Sequence, residues 1–300
     1  MTSAPSSFCF LVNPASGGGA APEAVVPVAR RLRDQGASVE VTYSPGIEAT
    51  TALVGEAVAR GDVVVSVGGD GMLSSIAGAV SRAGGTLGIV PAGRGNDFAR
   101  MLGLPADPLA QADVLLTGTP RSIDLIAFGD RLVAGSVYAG LDARAAEIVD
   151  HARFVPKVAQ YPLAALRALA TYTPATYQLT IDGVSHVFEG ATVVVANSAY
   201  YGKGMKIAPA AVLDDGLLDI IVIEAASRRG LMRSLPKVYQ GEHVDNDQVH
   251  VFTGREITLS ATSRRPVPMG GDGEALGVLP TPDQAPAAIS VRPGALTVIA

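Results

Sequence analysis

Hydrophobic positions along this chain change period as one reads towards the C-terminus. Between Phe8 and Phe128, short apolar runs alternate with stretches in which apolar residues recur three and four apart. Phe8–Val12, Val63–Val67 and Thr86–Val90 are near-continuous apolar or β-branched runs, the pattern of strands buried on both faces. Val39 and Val41 alternate with polar residues as a further strand. Helical spacing separates these runs. Val25, Val28, Ala29 and Leu32 follow Pro22, which opens a helix where its missing N–H costs nothing, and Gly36 ends it. A second helix is expected from about Glu48 to Arg60, a third after Met72 (Leu73, Ile76, Ala77, Val80) and a fourth from Phe98. The order β-α-β-α-β-α-β-α predicts a parallel sheet with helices on both faces.

After Phe128 the texture changes. One helical stretch is expected, Lys157–Thr171, with Val158, Tyr161, Ala165 and Leu169 on one face. Strand-like runs then dominate: Tyr177–Ile181, Val187–Glu189, Thr192–Ala196, Leu218–Ile223, Val249–Phe252, Glu256–Ser260, Ile289–Val291 and Leu296–Ile299. Asp182-Gly183 and Asp215-Gly216 punctuate them as turns, and Pro280–Pro286 reads as a surface loop. The predicted architecture is an α/β domain with a parallel sheet over 1–128 and a mostly antiparallel β-sandwich over 129–300. The last strand is a candidate to pack back on the first domain.

Three glycine-rich loops, 13–19, 68–71 and 91–97, each directly follow a predicted strand. In an open α/β sheet such loops share the edge where ligands bind, and a glycine turn leading into a helix N-terminus presents free N–H groups to an anion. The triple arrangement points to a nucleotide or other phosphate ligand. Asp70 stands out within it, because a carboxylate repels a bare phosphate. It fits there by bonding backbone amides, or by meeting phosphate through Mg²⁺ or water.

Composition narrows the function classes. The 300 residues are 48% hydrophobic and 17% charged, as in a globular protein with filled cores. No window approaches the roughly 18 uninterrupted apolar residues of a membrane span, and no basic segment precedes Phe8 as in a secretory signal. A net charge of −5 argues against a nucleic-acid partner. Cys9 is the single cysteine, so no intramolecular disulfide forms and a cytoplasmic setting is expected. The four histidines make no metal-ligand spacing. Neither a nucleophile elbow nor a Walker-type Gly-Lys-Ser/Thr occurs.

Two acidic turns remain. Asp214-Asp215-Gly216 precedes an apolar strand; it suits an ordinary β-turn or, with turn carbonyls, a hydrated hard cation. Gly270-Gly271-Asp272-Gly273-Glu274 suits a hairpin turn or a pair of carboxylates facing one cleft, where one could take a proton from a hydroxyl. Lys203 and Lys206 suit either neutralisation of phosphate or an exposed loop pair, whereas Arg228 and Arg229 read as the solvated face of a helix.

Taken together, Asn13-Pro14-Ala15-Ser16-Gly17, Gly68-Gly69-Asp70-Gly71, Pro91–Arg100, Asp214–Asp219 and Asp272-Gly273-Glu274 resemble the bacterial diacylglycerol kinase and related lipid kinase family, which shares its catalytic domain with eukaryotic diacylglycerol and sphingosine kinases. The motifs occur in the family's order and span nearly the whole chain. The resemblance implies an ATP- and Mg²⁺-dependent transfer of the γ-phosphoryl group to a lipid hydroxyl, diacylglycerol giving phosphatidic acid as the leading case. The active site would lie between the two domains, with the lipid met at a membrane surface. By resemblance, ATP contacts fall on Asn13, Pro14, Ala15, Ser16 and Gly17, on Ser44, on Gly68, Gly69, Asp70, Gly71, Met72, Leu73, Ser74 and Ser75, and on Arg94 and Asn96. Asp215, with the carbonyls of Val212 and Leu217, would hold Mg²⁺. Glu274 matches the family's proton acceptor, and Asp272 competes for that role. An apolar groove for the acyl chain is expected near Tyr138, Tyr200 and Tyr201.

Three places depart from the family's pattern: Arg94 stands for a common threonine, Met72 for the threonine after the glycine turn, and Ser74-Ser75 for Asn-Glu. Two competing readings stay open. One is an NAD kinase, which also uses a Gly-Gly-Asp-Gly turn; the other is a nucleotide- or lipid-binding regulator without turnover.

Overall fold

The computed structural model describes residues 7–44, 46–151 and 167–300. In the first half, β1 (Ser7–Val12), β2 (Ser38–Tyr43), β3 (Val63–Gly68) and β4 (Thr86–Pro91) pair in parallel in the order β4-β3-β1-β2. Period-two alternation sends Phe8, Phe10 and Val12 to one face and Cys9 and Leu11 to the other. The first face packs on Val25, Val28 and Leu32 of α1 (Ala21–Asp34) and on Leu115 of α5 (Pro108–Thr117). The second packs on Val54 of α2 (Ile47–Ala59) and on Ile76 and Val80 of α3 (Asp70–Ala83). This is the predicted doubly covered parallel sheet. A short α4 (Asp97–Met101) lies between β4 and α5.

The second half is mostly antiparallel. Its strands are β5 (Pro120–Phe128), β6 (Arg131–Val133), β7 (Ser136–Gly140), β8 (Ala175–Ile181), β9 (Val184–Ala196), β10 (Leu218–Glu224), β11 (Val249–Gly254), β12 (Glu256–Thr262), β13 (Pro268–Gly271), β14 (Glu274–Val278) and β15 (Ala287–Ile299). Inward residues such as Val137, Tyr177, Leu179, Val193, Val195, Ile220 and Leu259 form its core. Helices α6 (Leu141–His151) and α7 (Arg228–Gln240) accompany it. The helix expected over Lys157–Thr171 lies, up to residue 166, outside the described residues; 167–170 is helical.

Two pairs of expected strands are single strands. Val187–Glu189 and Thr192–Ala196 belong to one β9, because Gly190 does not turn the chain but passes flat against the Tyr177 ring. Ile289–Val291 and Leu296–Ile299 belong to one β15, whose register against β5 shifts between Arg292 and Leu296. The first part of β15 pairs antiparallel with β12, and Thr297 and Val298 pair parallel with Thr86 and Leu87 of β4. The C-terminal strand therefore joins both halves into one continuous sheet. Strands β7 and β13 escaped the sequence reading because Ser136, Gly140, Gly270 and Gly271 lack the β-branched signature.

Candidate active site

The three glycine loops meet at the C-terminal ends of β1, β3 and β4. Gly17 sits at φ +62°, and a Cβ there would stand 2.5 Å from the Ala92 carbonyl oxygen. A Cβ on Gly93 would stand 2.4 Å from the Gly69 Cα. Only glycine permits such backbone-on-backbone contact, which leaves amide groups of separate loops facing one space. Asn13 shapes the first loop by accepting the Ala15 N–H at 3.0 Å. Asn96, at φ +54°, braces the third by accepting the Gly93 N–H at 2.8 Å.

The acidic residues of the motifs act as staples between segments remote in sequence. Asp70 Oδ1 accepts the Phe98 N–H at 3.2 Å, so the second loop caps the short helix that follows the third. Asp97, itself buried, accepts the N–H groups of Lys203 and Gly204 at 2.7 and 2.6 Å. Burial raises both carboxyls above their ordinary range, and for Asp97 the neighbouring Asp70 charge adds to it. Asp272, at φ +46°, accepts the N–H groups of Ala134, Gly135 and Ser136 at 3.0, 2.9 and 2.8 Å. Its lone pairs are thereby committed to the backbone between β6 and β7.

Glu274 is placed differently. Its side chain is exposed and makes no hydrogen bond among the described residues. Its Oε1 lies 2.9 Å from the point where a Cβ of Gly71 would stand, directly over the last glycine of the second loop.

From the loops a single cavity of about 1170 Å³ runs into the second half. At one end lie Ser16, Gly17, Gly69, Gly71, Gly93 and Gly135; Arg94 and Lys203 add two cationic side chains beside them. Burial, then Arg94, lowers the Lys203 pKa. The other end is apolar, lined among others by Tyr138, Leu141, Tyr200, Ile223, Leu231 and Leu235. Tyr138 ties the two ends together: its hydroxyl accepts the Gly273 N–H at 3.2 Å and its ring meets Tyr201 edge-on at 5.9 Å. A space with a polar, glycine-walled end and an apolar end accommodates a phosphate-bearing ligand and an aliphatic one side by side.

Residues 7–128 match the family described as the diacylglycerol kinase catalytic domain, and residues 135–300 match the YegS C-terminal NAD kinase beta sandwich-like domain. A diacylglycerol kinase of Mycobacterium tuberculosis strain H37Rv is 33% identical over 96% of this chain and 93% of its own length. The chain belongs to the diacylglycerol kinase and YegS-like lipid kinase family. A diacylglycerol kinase of Bacillus subtilis strain 168 is 27% identical over 90% of both chains. A crystal structure from Bacillus anthracis strain Sterne shares the fold with a TM-score of 0.81 at 20% identity, covering 100% of this chain and 96% of that one.

For a kinase of this family, not every residue singled out in the sequence faces the cavity. Ala15, Ser16, Gly17, Gly69, Asp70, Gly71, Leu73 and Arg94 line it. Ser74 is buried beneath, accepting the Ala134 N–H at 3.3 Å and bonding Asp272. Ser44 lies outside the lining, its Oγ 2.6 Å from the Thr50 hydroxyl. Met72 packs against the core of the first half. The amides of Ala134–Ser136, the Asp97 clamp and the apolar wall contributed by α7 were not read from the sequence. The clearest signal for that wall is the helical spacing of Leu231, Leu235 and Val238.

The Asp215 turn also lies outside the cavity lining. Asp214 pairs with Arg121 at 2.9 Å, and buried Asp124 accepts the N–H groups of Gly216 and Gly294 at 2.7 Å each. Asp215 Oδ1 accepts the Leu217 N–H at 2.9 Å. Burial, then the Asp215 charge, pushes Asp219 up to about 6. No group of three or more His, Cys, Asp or Glu side chains gathers around a metal-sized space among the described residues. The donors at this turn, one carboxylate with turn carbonyls, fit a hard cation that keeps most of its water.

Proposed function

We propose that this kinase transfers the γ-phosphoryl group of ATP to a lipid hydroxyl in a Mg²⁺-dependent reaction, with diacylglycerol giving phosphatidic acid as the leading case. The observation that carries this reading is the position of Glu274, whose carboxylate lies over Gly71, a glycine that lines the cavity, although Glu274 is not itself a lining residue. The names of the Mycobacterium and Bacillus relatives support diacylglycerol as acceptor.

On this reading the amides of the three loops and the Arg94 and Lys203 side chains hold the nucleotide phosphates. The acyl chains of the acceptor occupy the apolar end, which aims its hydroxyl at the loops. Glu274 accepts the hydroxyl proton as the oxygen bonds to phosphorus and the bond to the departing ADP oxygen breaks. Asp272 has a different role, holding the Ala134–Ser136 backbone that forms the floor of the site. Mg²⁺ supplies charge neutralisation for the phosphates when bound with the nucleotide, and Asp215 with the carbonyls of Val212 and Leu217 would hold a second, organising cation. Most of the rate then comes from positioning and electrostatics.

The test is incubation of the purified protein with γ-labelled ATP, Mg²⁺ and mixed micelles of candidate lipids, with NAD as a soluble control. Label in an organic-extractable product from diacylglycerol is the expected result. Label in NADP alone would replace the reading with an NAD kinase. ATP binding without any transfer would leave a regulator.

A further inference from the structure

Helix α7 (Arg228–Gln240) forms a wall of the cavity and is barely buried, Val238 being its only buried residue. Met232, Leu235 and Tyr239 are 49%, 41% and 50% exposed. Their spacing of three and four places them in one strip along the helix. Arg229, Arg233 and Lys237, spaced four apart, form a second strip beside it, and Arg228 adds a further cation at the start. The helix carries four cations and no acid, in a chain whose net charge is −5. Among the described residues no ion pair engages Arg228, Arg229 or Arg233; Lys237 donates to Asn246 at 3.1 Å. Glu242, Asp245 and Asp247 come only after the helix ends, so positive charge is densest over its first turns. Ser227 caps its start through the Gly230 N–H, and Gly241 in the left-handed conformation ends it.

An exposed apolar strip flanked by unpaired arginines is the build of a helix that lies in a bilayer interface. We propose that α7 docks this protein on an anionic lipid bilayer. Met232, Leu235 and Tyr239 enter the headgroup–acyl boundary while Arg228, Arg229 and Arg233 meet lipid phosphates. The choice of a bilayer over a protein partner follows from charge complementarity and from continuity: the same helix walls the cavity assigned to the acyl chains, through Leu231 and Val238 and through Met232, Leu235 and Tyr239 of the strip itself. Docking would open that cavity onto the layer from which the acceptor is drawn. To that extent the inference rests on the lipid-kinase reading, but the docking itself is measured without turnover.

The experiment is co-sedimentation of the full chain with phosphatidylcholine vesicles, with and without phosphatidylglycerol. It compares wild type, Arg229→Gln/Arg233→Gln and Met232→Ser/Tyr239→Ser, all checked for equal melting temperature. Wild type is expected to bind the anionic vesicles and to release at high salt. The arginine pair is expected to weaken binding about tenfold or more, and the apolar pair to weaken it even at low salt. The arginine variant should still phosphorylate a short-chain, water-dispersed acceptor at the wild-type rate. Unchanged vesicle binding in both double variants would overturn the proposal. So would a concentration-dependent dimer in sedimentation velocity that Met232→Ser/Tyr239→Ser dissolves, since the strip would then be an interface between copies. Vesicle binding through α7 with no transfer to any lipid would sink the kinase reading and support the docking.

Discussion

Two carboxylates two residues apart, Asp272 and Glu274, differ in everything but chemistry. Asp272 is tied to three backbone N–H groups, so Asp272→Ala leaves those donors without a partner and should cost about 2–4 kcal/mol of stability. Glu274 ties nothing among the described residues. Glu274→Gln should leave the urea midpoint unchanged and lower kcat about 10²–10⁴-fold with the KM for ATP retained. Asp142, in the apolar part of the cavity, gives a third residue-scale case. Thr192 Oγ1 lies 2.9 Å from the Ala139 carbonyl oxygen and 2.8 Å from Asp142 Oδ2. A hydroxyl has one proton to give. Thr192 shares that proton between the Ala139 carbonyl and the Asp142 carboxyl, which the Tyr201 side chain also bonds. Burial raises the Asp142 carboxyl above its ordinary range, outweighing the hydrogen bonds to Thr192 and Tyr201, which lower it. A folded pKa above the unfolded value of about 4 means stability that is full below that pH and is lost as pH rises through the folded pKa. Asp142→Asn keeps an acceptor for Thr192 without a titrating group. The urea midpoint of the variant relative to wild type should therefore rise with pH across that window.

At the scale of elements, the glycine loops are held by contact between backbones, and side-chain volume is what they cannot accept. Gly17→Ala and Gly93→Ala each put a methyl group within 2.5 Å of another loop's backbone. Each should cost about 1–3 kcal/mol and weaken ATP binding, as read by calorimetric titration. Gly55, in α2 with nothing within 4 Å of its built Cβ, supplies the contrast. Gly55→Ala should stabilise the protein by up to about 1 kcal/mol with nucleotide affinity unchanged.

For the whole molecule, β15 decides whether there are two folding units or one. Leu296, Val298 and Ile299 are fully or almost fully buried, and their strand pairs with β4 of the first half and with β5. Asp124 fastens both the Gly216 turn and the Gly294 shift to β5. Heat should therefore unfold the chain in a single transition, with calorimetric and van't Hoff enthalpies equal. Truncation after Pro293 should broaden or split it, because the first sheet loses an inner neighbour while the β12 pairing persists.

The amino-acid sequence alone determined the parallel half, the strand-rich second half, the three glycine loops and the family motifs. Those features are local. Period two or 3.6, the missing Cβ of glycine and the order of short motifs are properties of residues within a few positions of one another. Only tertiary structure separated Asp272 from Glu274, because that separation depends on Ala134 and Gly71, well over a hundred residues away. The same holds for the Asp97 clamp on Lys203 and Gly204, for the joining of β15 to both halves and for α7 as a cavity wall. A carboxylate reads alike in sequence whether it will meet three amides or none. Its surroundings, not its spacing, set which lone pairs remain for chemistry.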